Sequence, residues 1–398
     1  MPGSLISVEE ARARILATVR PLAPEPVPAE DALGRVLAED VVSELELPPF
    51  DSSAMDGFAV VAGPAAELTI VGESQAGLPF DGELRPGEAV RISTGAVIPR
   101  GASAVVPIER VSLTQAGVRV PDSRSGANVR RAGDDVHEGD VVIGAGTELG
   151  PAELGMLAAL GRATADCARR PRLAVVTTGD ELVRPGRALR PGQIYDSNEA
   201  ALRALADRAG AARGGYEWIA DLPDATASAL ERIADPDRGE DVICIAGGVS
   251  VGPHDHVKQA LTAIGFEEVF WGVRLKPGKP FWFGARGNQY AFGLPGNPVS
   301  AMVTFALFVR PALRALQGAD PAAPRSVARL DAPIEANPDR DQAVRCRLRT
   351  ADDGWHAEPT GPQGSHVMSS MLGAAALAIV PASERELPAG ELVTIELL

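Results

Sequence analysis

The stretches of this sequence best equipped for chemistry are short, polar and rich in glycine. The first is DVICIAGGVSVGPHDHVK at 241–258. Val242, Ile243, Cys244 and Ile245 leave no polar face, which predicts a buried parallel strand over Asp241 to Ala246. Gly247 and Gly248 then permit a sharp turn and close approach of backbone to a ligand. A helix is predicted from near Asp255 to a stop at Gly265, with its free N–H groups aimed at whatever sits over the glycines. This pattern suits an anion, and it also serves as an ordinary βα connection.

The second stretch, TTGDELVRPG at 177–186, follows a predicted strand RLAVVTT. Thr178, Gly179, Asp180 and Glu181 then belong at the same sheet edge as GGVSVG, so both loops could line one crevice. Carboxylates beside a phosphate-binding loop suit Mg2+, a hard cation that prefers carboxylate and phosphate oxygens. Turn capping is the other reading of Asp180 and Glu181. Asp255 carries the same pair of readings, a helix N-cap or a Mg2+ ligand. His254 and His256 lack the spacing of a paired metal site and read as exposed loop residues.

The third stretch is RLKPGKPFWFG. Of 38 basic residues only Lys258, Lys276 and Lys279 are lysines, and all three fall in one window. A compact ammonium is not interchangeable with a guanidinium, so the window reads as a set of positions that need one. Prolines around Gly278 stiffen the backbone and present Lys276 and Lys279 as preorganised positive charge for an oxyanion or phosphate. GLPGNPVSA follows, with Pro298 at a helix start and Ser300 in its first turn, where amides and a hydroxyl could share an anion. A fourth group, PPFDSSAMDG, STGAVIP and NVRRAGDD, reads singly as turn sequences, with Asp51 and Ser52 shaping a loop. No Ser/His/Asp order, Cys/His pair or complete Walker loop is present, which leaves hydrolase and P-loop readings little support.

Composition bounds what these stretches serve. With 45% hydrophobic and 23% charged residues the chain reads as soluble and globular, and 398 residues call for two to four domains. A net charge of −15 argues against wholesale binding to nucleic acid or an anionic membrane, so an anionic substrate must be met by local positive charge. The chain shows no stretch of spanning length and no signal-peptide order, so no membrane association and a cytoplasmic location are expected. Cys167, Cys244 and Cys346 lack metal-ligand spacing, and Cys244 reads as core.

Positioning these stretches requires several elements. Ser7 with Glu10 forms a capping box for a helix to Val19, followed by a Pro-rich connector and a second helix around Ala32 to Ala38. Short β-branched runs from Val60 to Val142 predict a small all-β domain, inserted between helical segments that could pack together and give an elongated molecule. From Arg172 strands and helices alternate, which implies a doubly wound α/β domain with right-handed crossovers. The tail from Ala323 reads as a separate small β domain.

Taken in order, PPFDSSAMDGFAV, STGAVIP, NVRRAGDDV, TTGDEL, GGVSVGPHDHVK, KPGKPFWFG and GLPGNPVSA resemble the signatures of the molybdopterin molybdenumtransferases, the MoeA-type enzymes that include the C-terminal part of gephyrin. The resemblance covers nearly the whole chain. It implies a multidomain α/β plus β fold with a helical linker domain (1–46 and 142–170), an inserted β domain (47–141), a molybdopterin-binding α/β domain (171–319) and a C-terminal β-barrel (320–398). It implies a homodimer whose active site combines the α/β domain of one subunit with the inserted domain of the other, and a molybdopterin adenylyltransferase upstream. The implied reaction takes adenylylated molybdopterin and molybdate, releases AMP with Mg2+ and leaves molybdenum on the dithiolene sulfurs.

Carried over by motif, Asp255, Glu181 and Asp221 would serve the nucleotide and Mg2+, with Asp255 and Glu181 as metal ligands. Lys276, Lys279, Ser250 and Ser300 would hold molybdate and the pterin phosphate, with Gly247, Gly248, Pro295 and Pro298 in the loops around them. Asp56, Thr94, Arg130 and Asp135 would come from the inserted domain, and Arg345 and Ser365 would contact the oxyanion from the C-terminal domain. The sequence departs from relatives at Gly272, where many carry a basic residue, and in AVRCRL, which lacks an aromatic before its arginine. The alternatives are a molybdopterin adenylyltransferase, which shares the α/β fold and glycine loop, and a non-catalytic scaffold module.

Overall fold

The structure, a computed structural model, describes residues 5–250 and 256–398. Two compact units make up the chain. One holds the residues up to Ala38, Gly146–Pro151 and Thr164–Leu398, and the other Glu39–Ala145 and Ala152–Ala163.

The larger unit is built on a six-stranded sheet in the order Ala212–Ile219, Arg172–Thr178, Val242–Ala246, Gln289–Leu294, Trp282–Arg286 and Glu267–Trp271. Only Trp282–Arg286 runs against the others, because it returns through a hairpin to Gln289–Leu294. The uniformly apolar run at 242–246 is central and buried on both faces. Val242, Cys244 and Ala246 face one core cluster with Leu202, Phe292 and Phe308, while Ile243 and Ile245 face a second with Leu230, Ile233 and Leu261. Helices Asn198–Arg208 and Pro298–Leu316 therefore cover one face, and Pro223–Ile233 and Val257–Ala263 the other, as a doubly wound sheet requires.

Helix Pro298–Leu316 corrects one expectation. It is 19 residues long with a mean hydropathy of 1.5, enough by length and composition to span a bilayer, and 78% of that stretch is buried inside the protein. Its apolar surface is satisfied by the sheet and by the N-terminal helix Val8–Thr18, whose Val8, Ala11 and Ile15 join the same cluster. Pro311 has no N–H to offer the Leu307 carbonyl one turn back, and the helix widens to a π segment at Phe305–Val309. The Nε of Arg12 donates to that carbonyl at 2.9 Å.

The expected second helix at Ala32 to Ala38 does not form. A 3-10 turn at Ala29–Asp31 is followed by Gly34 at φ 70°, and Val36 and Leu37 bridge to Glu148 and Cys167. The proline-rich connector is likewise a strand, Pro24–Pro28, antiparallel to Thr164–Ala168. The segments on either side of the inserted residues thus meet through strands, a long-range pairing that overrides local helix periodicity.

At the C-terminus, Asp341–Ala351 pairs with both Gly354–Pro359 and Ala376–Val380, and Arg325–Leu330 and Leu392–Leu397 complete the circuit. The result is a closed five-stranded barrel without free edges, filled by Ala328, Leu330, Val344, Cys346, Ala357 and Ile395. The other unit is a β domain with the strand order Ala104–Pro107, Gly57–Val60, Glu88–Ile92, Ala66–Ser74, Val118–Val120 and Ser112–Leu113.

Candidate active site

Strand Val242–Ala246 ends where the Gly247 N–H donates to the Leu294 carbonyl at 3.0 Å. Gly247 and Gly248 follow at φ 104° and 65°, conformations that a side chain would strain. A Cβ on Gly247 would also lie 2.6 Å from Thr178 Oγ1 and 3.0 Å from the Thr178 carbonyl oxygen. The two loops expected at one sheet edge are therefore in contact. Between them lies a cavity of about 270 Å³ lined by Thr178, Glu181, Asp221, Gly247, Gly248 and Ser250, with Pro295 on its wall. Two carboxylates and the glycine turn share one small space. The turn that carries Glu181 is tied to Asp221, whose N–H donates to Asp180 Oδ1 at 3.2 Å. Asp255, with His254 beside it, lies outside the described residues.

A second cavity of about 420 Å³ adjoins the first through Pro280 and Pro295. Lys276, Lys279, Ser300 and Ser365 line it together with Asn297, Arg340 and His366. Stiffness comes from both ends of the lysine segment. Leu275–Lys276 pairs with Asp341–Gln342 of the barrel sheet, and the Val273 N–H donates to the Lys279 carbonyl at 3.0 Å. Both lysine side chains are exposed, and neither forms an ion pair among the described residues. Asn297 Nδ2 donates to Ser365 Oγ at 3.1 Å and joins the two loops that close this cavity.

Four residues of the expected set are placed differently, the first being Ser250, expected with the lysines, which lines the carboxylate cavity instead. Lys258 lines neither cavity; its Nζ donates to the Ser250 carbonyl at 2.7 Å and sits 4.5 Å from the Trp271 ring centroid. Trp271 Nε1 donates to the neighbouring Val249 carbonyl at 2.9 Å. This pair grips the glycine turn through its carbonyls, so Lys258 positions the loop, and of the three lysines Lys276 and Lys279 line the second cavity, beside Arg340. Pro298 sits at the first position of its helix, outside both linings. Arg345, expected at the oxyanion, is fully buried. Its guanidinium donates to Ser370 Oγ at 3.0 Å and to the Gly364 carbonyl at 3.3 Å, and its backbone N–H to Gln363 Oε1 at 2.9 Å. Burial pushes its pKa down to about 10, and its contact with the cavity is through the 363–365 loop it supports.

Within the β unit, the Thr94 N–H donates to Asp56 Oδ1 at 2.7 Å, bringing two expected residues together. Arg130 pairs across strands with Ser52, and the Asp135 N–H donates to the Leu47 carbonyl at 2.9 Å. Asp51 does shape its loop. The Ala132 N–H, ahead of the neighbouring Arg131, holds its carboxyl below the usual range.

Against known proteins, a molybdopterin molybdenumtransferase of Haemophilus influenzae is 36% identical over 408 residues, covering 98% of each chain. The chain belongs to the MoeA family. Its residues 6–161 match the MoeA N-terminal region (domain I and II), 174–315 a probable molybdopterin binding domain and 327–398 the MoeA C-terminal region (domain IV). A molybdopterin molybdenumtransferase 2 of Mycobacterium tuberculosis is also 36% identical, over 96% of this chain. The crystal structure of a molybdopterin biosynthesis MoeA protein from Pyrococcus horikoshii superposes with a TM-score of 0.85 at 30% identity, covering 99% of both chains. For this MoeA-family chain, sequence reasoning missed Asn297, Gln363 and His366. Their only signals were the turn residues of PGNP and GPQGSH, which reveal a loop and not what it faces.

Proposed function

We propose that this chain is a molybdopterin molybdenumtransferase that inserts molybdate into adenylylated molybdopterin and releases AMP. The observation that carries this reading is the pair of adjoining cavities, one with carboxylates at a glycine turn and the other with two lysines that form no ion pair among the described residues. A phosphate linkage and an oxyanion are the ligands such neighbours suit.

Mg2+ belongs to the same reading. Glu181 and Asp221 share a cavity of the right donor chemistry, since Mg2+ is usually held by one or two carboxylates plus substrate phosphates. Asp255 is the further ligand the resemblance implies. When bound, the ion would neutralise charge on the phosphate linkage as it is cleaved. The chain's own residues bind and orient: the glycine turn admits the ligand backbone-close, and Lys276, Lys279 and Ser300 hold the oxyanion.

A four-domain cytoplasmic homodimer completes the proposal, with Asp56, Thr94, Arg130 and Asp135 of one subunit serving the site of the other, downstream of a molybdopterin adenylyltransferase. Purified protein given adenylylated molybdopterin, Mg2+ and molybdate is expected to release AMP and form active cofactor. Correctly folded protein that releases no AMP would sink the reading, whereas consumption of ATP with free molybdopterin would select the adenylyltransferase.

Lys258 provides a finer check. Replacing it with methionine removes a charge-assisted hydrogen bond from the turn, worth about 1.5–3 kcal/mol, and is expected to raise KM by about tenfold or more. Steady-state AMP release measures this, and an unchanged KM would remove Lys258 from its positioning role.

A further inference from the structure

One short loop is shared by the two cavities. Pro295 lines both, Gly296 the carboxylate cavity and Asn297 the lysine cavity. The ends of this loop are held by backbone bonds. The Gly247 N–H donates to the Leu294 carbonyl, and the Ala301 N–H donates to the Asn297 carbonyl at 3.0 Å as helix Pro298–Leu316 begins. The middle has no such restraint of its own. Gly296 is exposed and carries no Cβ, so its backbone alone does not choose between the two orientations of the peptide that joins it to Asn297.

Asn198 makes that choice from a distance. It opens helix Asn198–Arg208, is buried, and lines neither cavity. Its Nδ2 donates to the Gly296 carbonyl at 2.8 Å across 98 residues of sequence. The Asn198 N–H is itself fixed on Asp196 Oδ1 at 3.0 Å, and the buried Asp196 is anchored by the Thr177 hydroxyl at 2.6 Å and the Tyr216 hydroxyl at 3.0 Å. Among the described residues Asn198 Oδ1 meets no donor, so the bond to Gly296 is what sets how this amide faces. A trans peptide is planar and points its C=O and N–H in opposite directions. With the Gly296 carbonyl turned inward to Asn198, the Asn297 N–H is turned away from it, and that N–H has no acceptor among the described residues.

We infer that Asn198 is a positioning residue for the oxyanion: by holding the Gly296 carbonyl it presents the Asn297 backbone N–H to the anion that Lys276 and Lys279 attract. The two kinds of donor are complementary. An ammonium on a flexible stem supplies charge, and a peptide N–H locked in one orientation supplies direction before the ligand arrives. Asn198 acts through the loop and touches no substrate. The inference rests on the proposed reading of the lysine cavity as an oxyanion site.

The test compares the full parent chain with Asn198→Ala and with Asn198→Ser, a milder change at a helix start, after circular dichroism has shown that the variants are folded. Alanine removes the donor without placing a new charge beside Asp196. In AMP release, Asn198→Ala is expected to raise the KM for molybdate by about tenfold or more, the size of a lost hydrogen bond to a charged group. The serine variant should shift KM the same way by less. The effect belongs in KM rather than kcat, because a contact made equally to the bound and the reacting anion contributes uniform binding. A merely structural role moves the other parameter: a partly unfolded preparation has fewer active molecules, which lowers kcat and leaves KM alone. A second readout needs no turnover. Molybdate alone should slow hydrogen exchange across residues 295–299 of the parent, and at the concentration that half-saturates the parent this slowing should be largely lost in Asn198→Ala. An unchanged KM for molybdate in both folded variants, a loss confined to kcat, or no effect of molybdate on exchange in the parent overturns the inference. Its failure is separable from that of the insertase reading. Molybdate-dependent protection that needs Asn198, in protein that releases no AMP, keeps this role and sinks the reaction; AMP release with an unchanged KM in both variants does the reverse.

Discussion

Replacing Lys276 with alanine is expected to lower molybdate-dependent AMP release on the order of 10²–10³-fold, the usual effect of removing one preorganised electrostatic donor from a reacting oxyanion. Lys276 and Lys279 line the 420 Å³ cavity with Ser300 and Ser365, and no carboxylate is paired with either among the described residues. Their backbone is held by the pairing of Leu275–Lys276 with Asp341–Gln342, so the charge is positioned before a ligand arrives. Because the side chain is exposed, its removal should change stability by no more than about 0.5 kcal/mol. Activity and stability should therefore separate in the same variant. Lys276→Arg is expected to recover only part of the rate, since a planar fork does not occupy the place of a compact ammonium. Turnover equal to that of the parent in Lys276→Ala would refute the anion role.

The largest stability effect is expected at Arg12. Its guanidinium binds Glu396 through both nitrogens, at 2.6 and 2.5 Å, and its Nε satisfies the Leu307 carbonyl that Pro311 leaves free. Glu396 is 1% exposed, so Arg12→Ala strands a buried carboxylate and a buried carbonyl, at a cost of about 3–5 kcal/mol. Arg325, 2.7 Å from the same carboxylate but half exposed, offsets only part of this loss. All four tryptophans lie in the larger unit, so denaturant unfolding read by their fluorescence follows that unit alone.

The same contact has a pH signature. Burial alone would raise the pKa of Glu396, but Arg12 and then Arg325 bring it below its ordinary value. A depressed carboxylate contributes stability that is present above its unfolded pKa and is lost as pH falls through the folded one. The parent should therefore lose stability on acidification below about pH 4, where an ordinary carboxyl titrates, and Arg12→Ala should lose less over the same range. An acid limb of equal steepness in both proteins would detach the pair from the pH dependence.

What the sequence determined by itself was local. The apolar run 242–245, the glycines after it and the alternation from Arg172 specify a doubly wound sheet with ligand loops at one edge, because a strand buried on both faces and a turn without Cβ atoms are written in adjacent residues. The contact of the TTGDEL and GGVSVG loops followed from that topology. Only the tertiary structure decided which charges face a ligand. Lys258 was inseparable from Lys276 and Lys279 as a sequence cluster, yet a helix turns it onto the Ser250 carbonyl and the Trp271 ring. Arg345 looked available, and barrel closure buries it behind the loop it supports. Ala32 to Ala38 had helical spacing and became a bridged turn, and Pro298–Leu316 had the apolarity of a membrane span and became the core helix. Lys258 meets near neighbours in the chain, whereas in the other cases the deciding partner lies tens to hundreds of residues away, as with the pairing of Pro24–Pro28 to Thr164–Ala168 or of Arg12 to Glu396. Periodicity records which face of an element is apolar; what that face or charge meets is set by long-range packing.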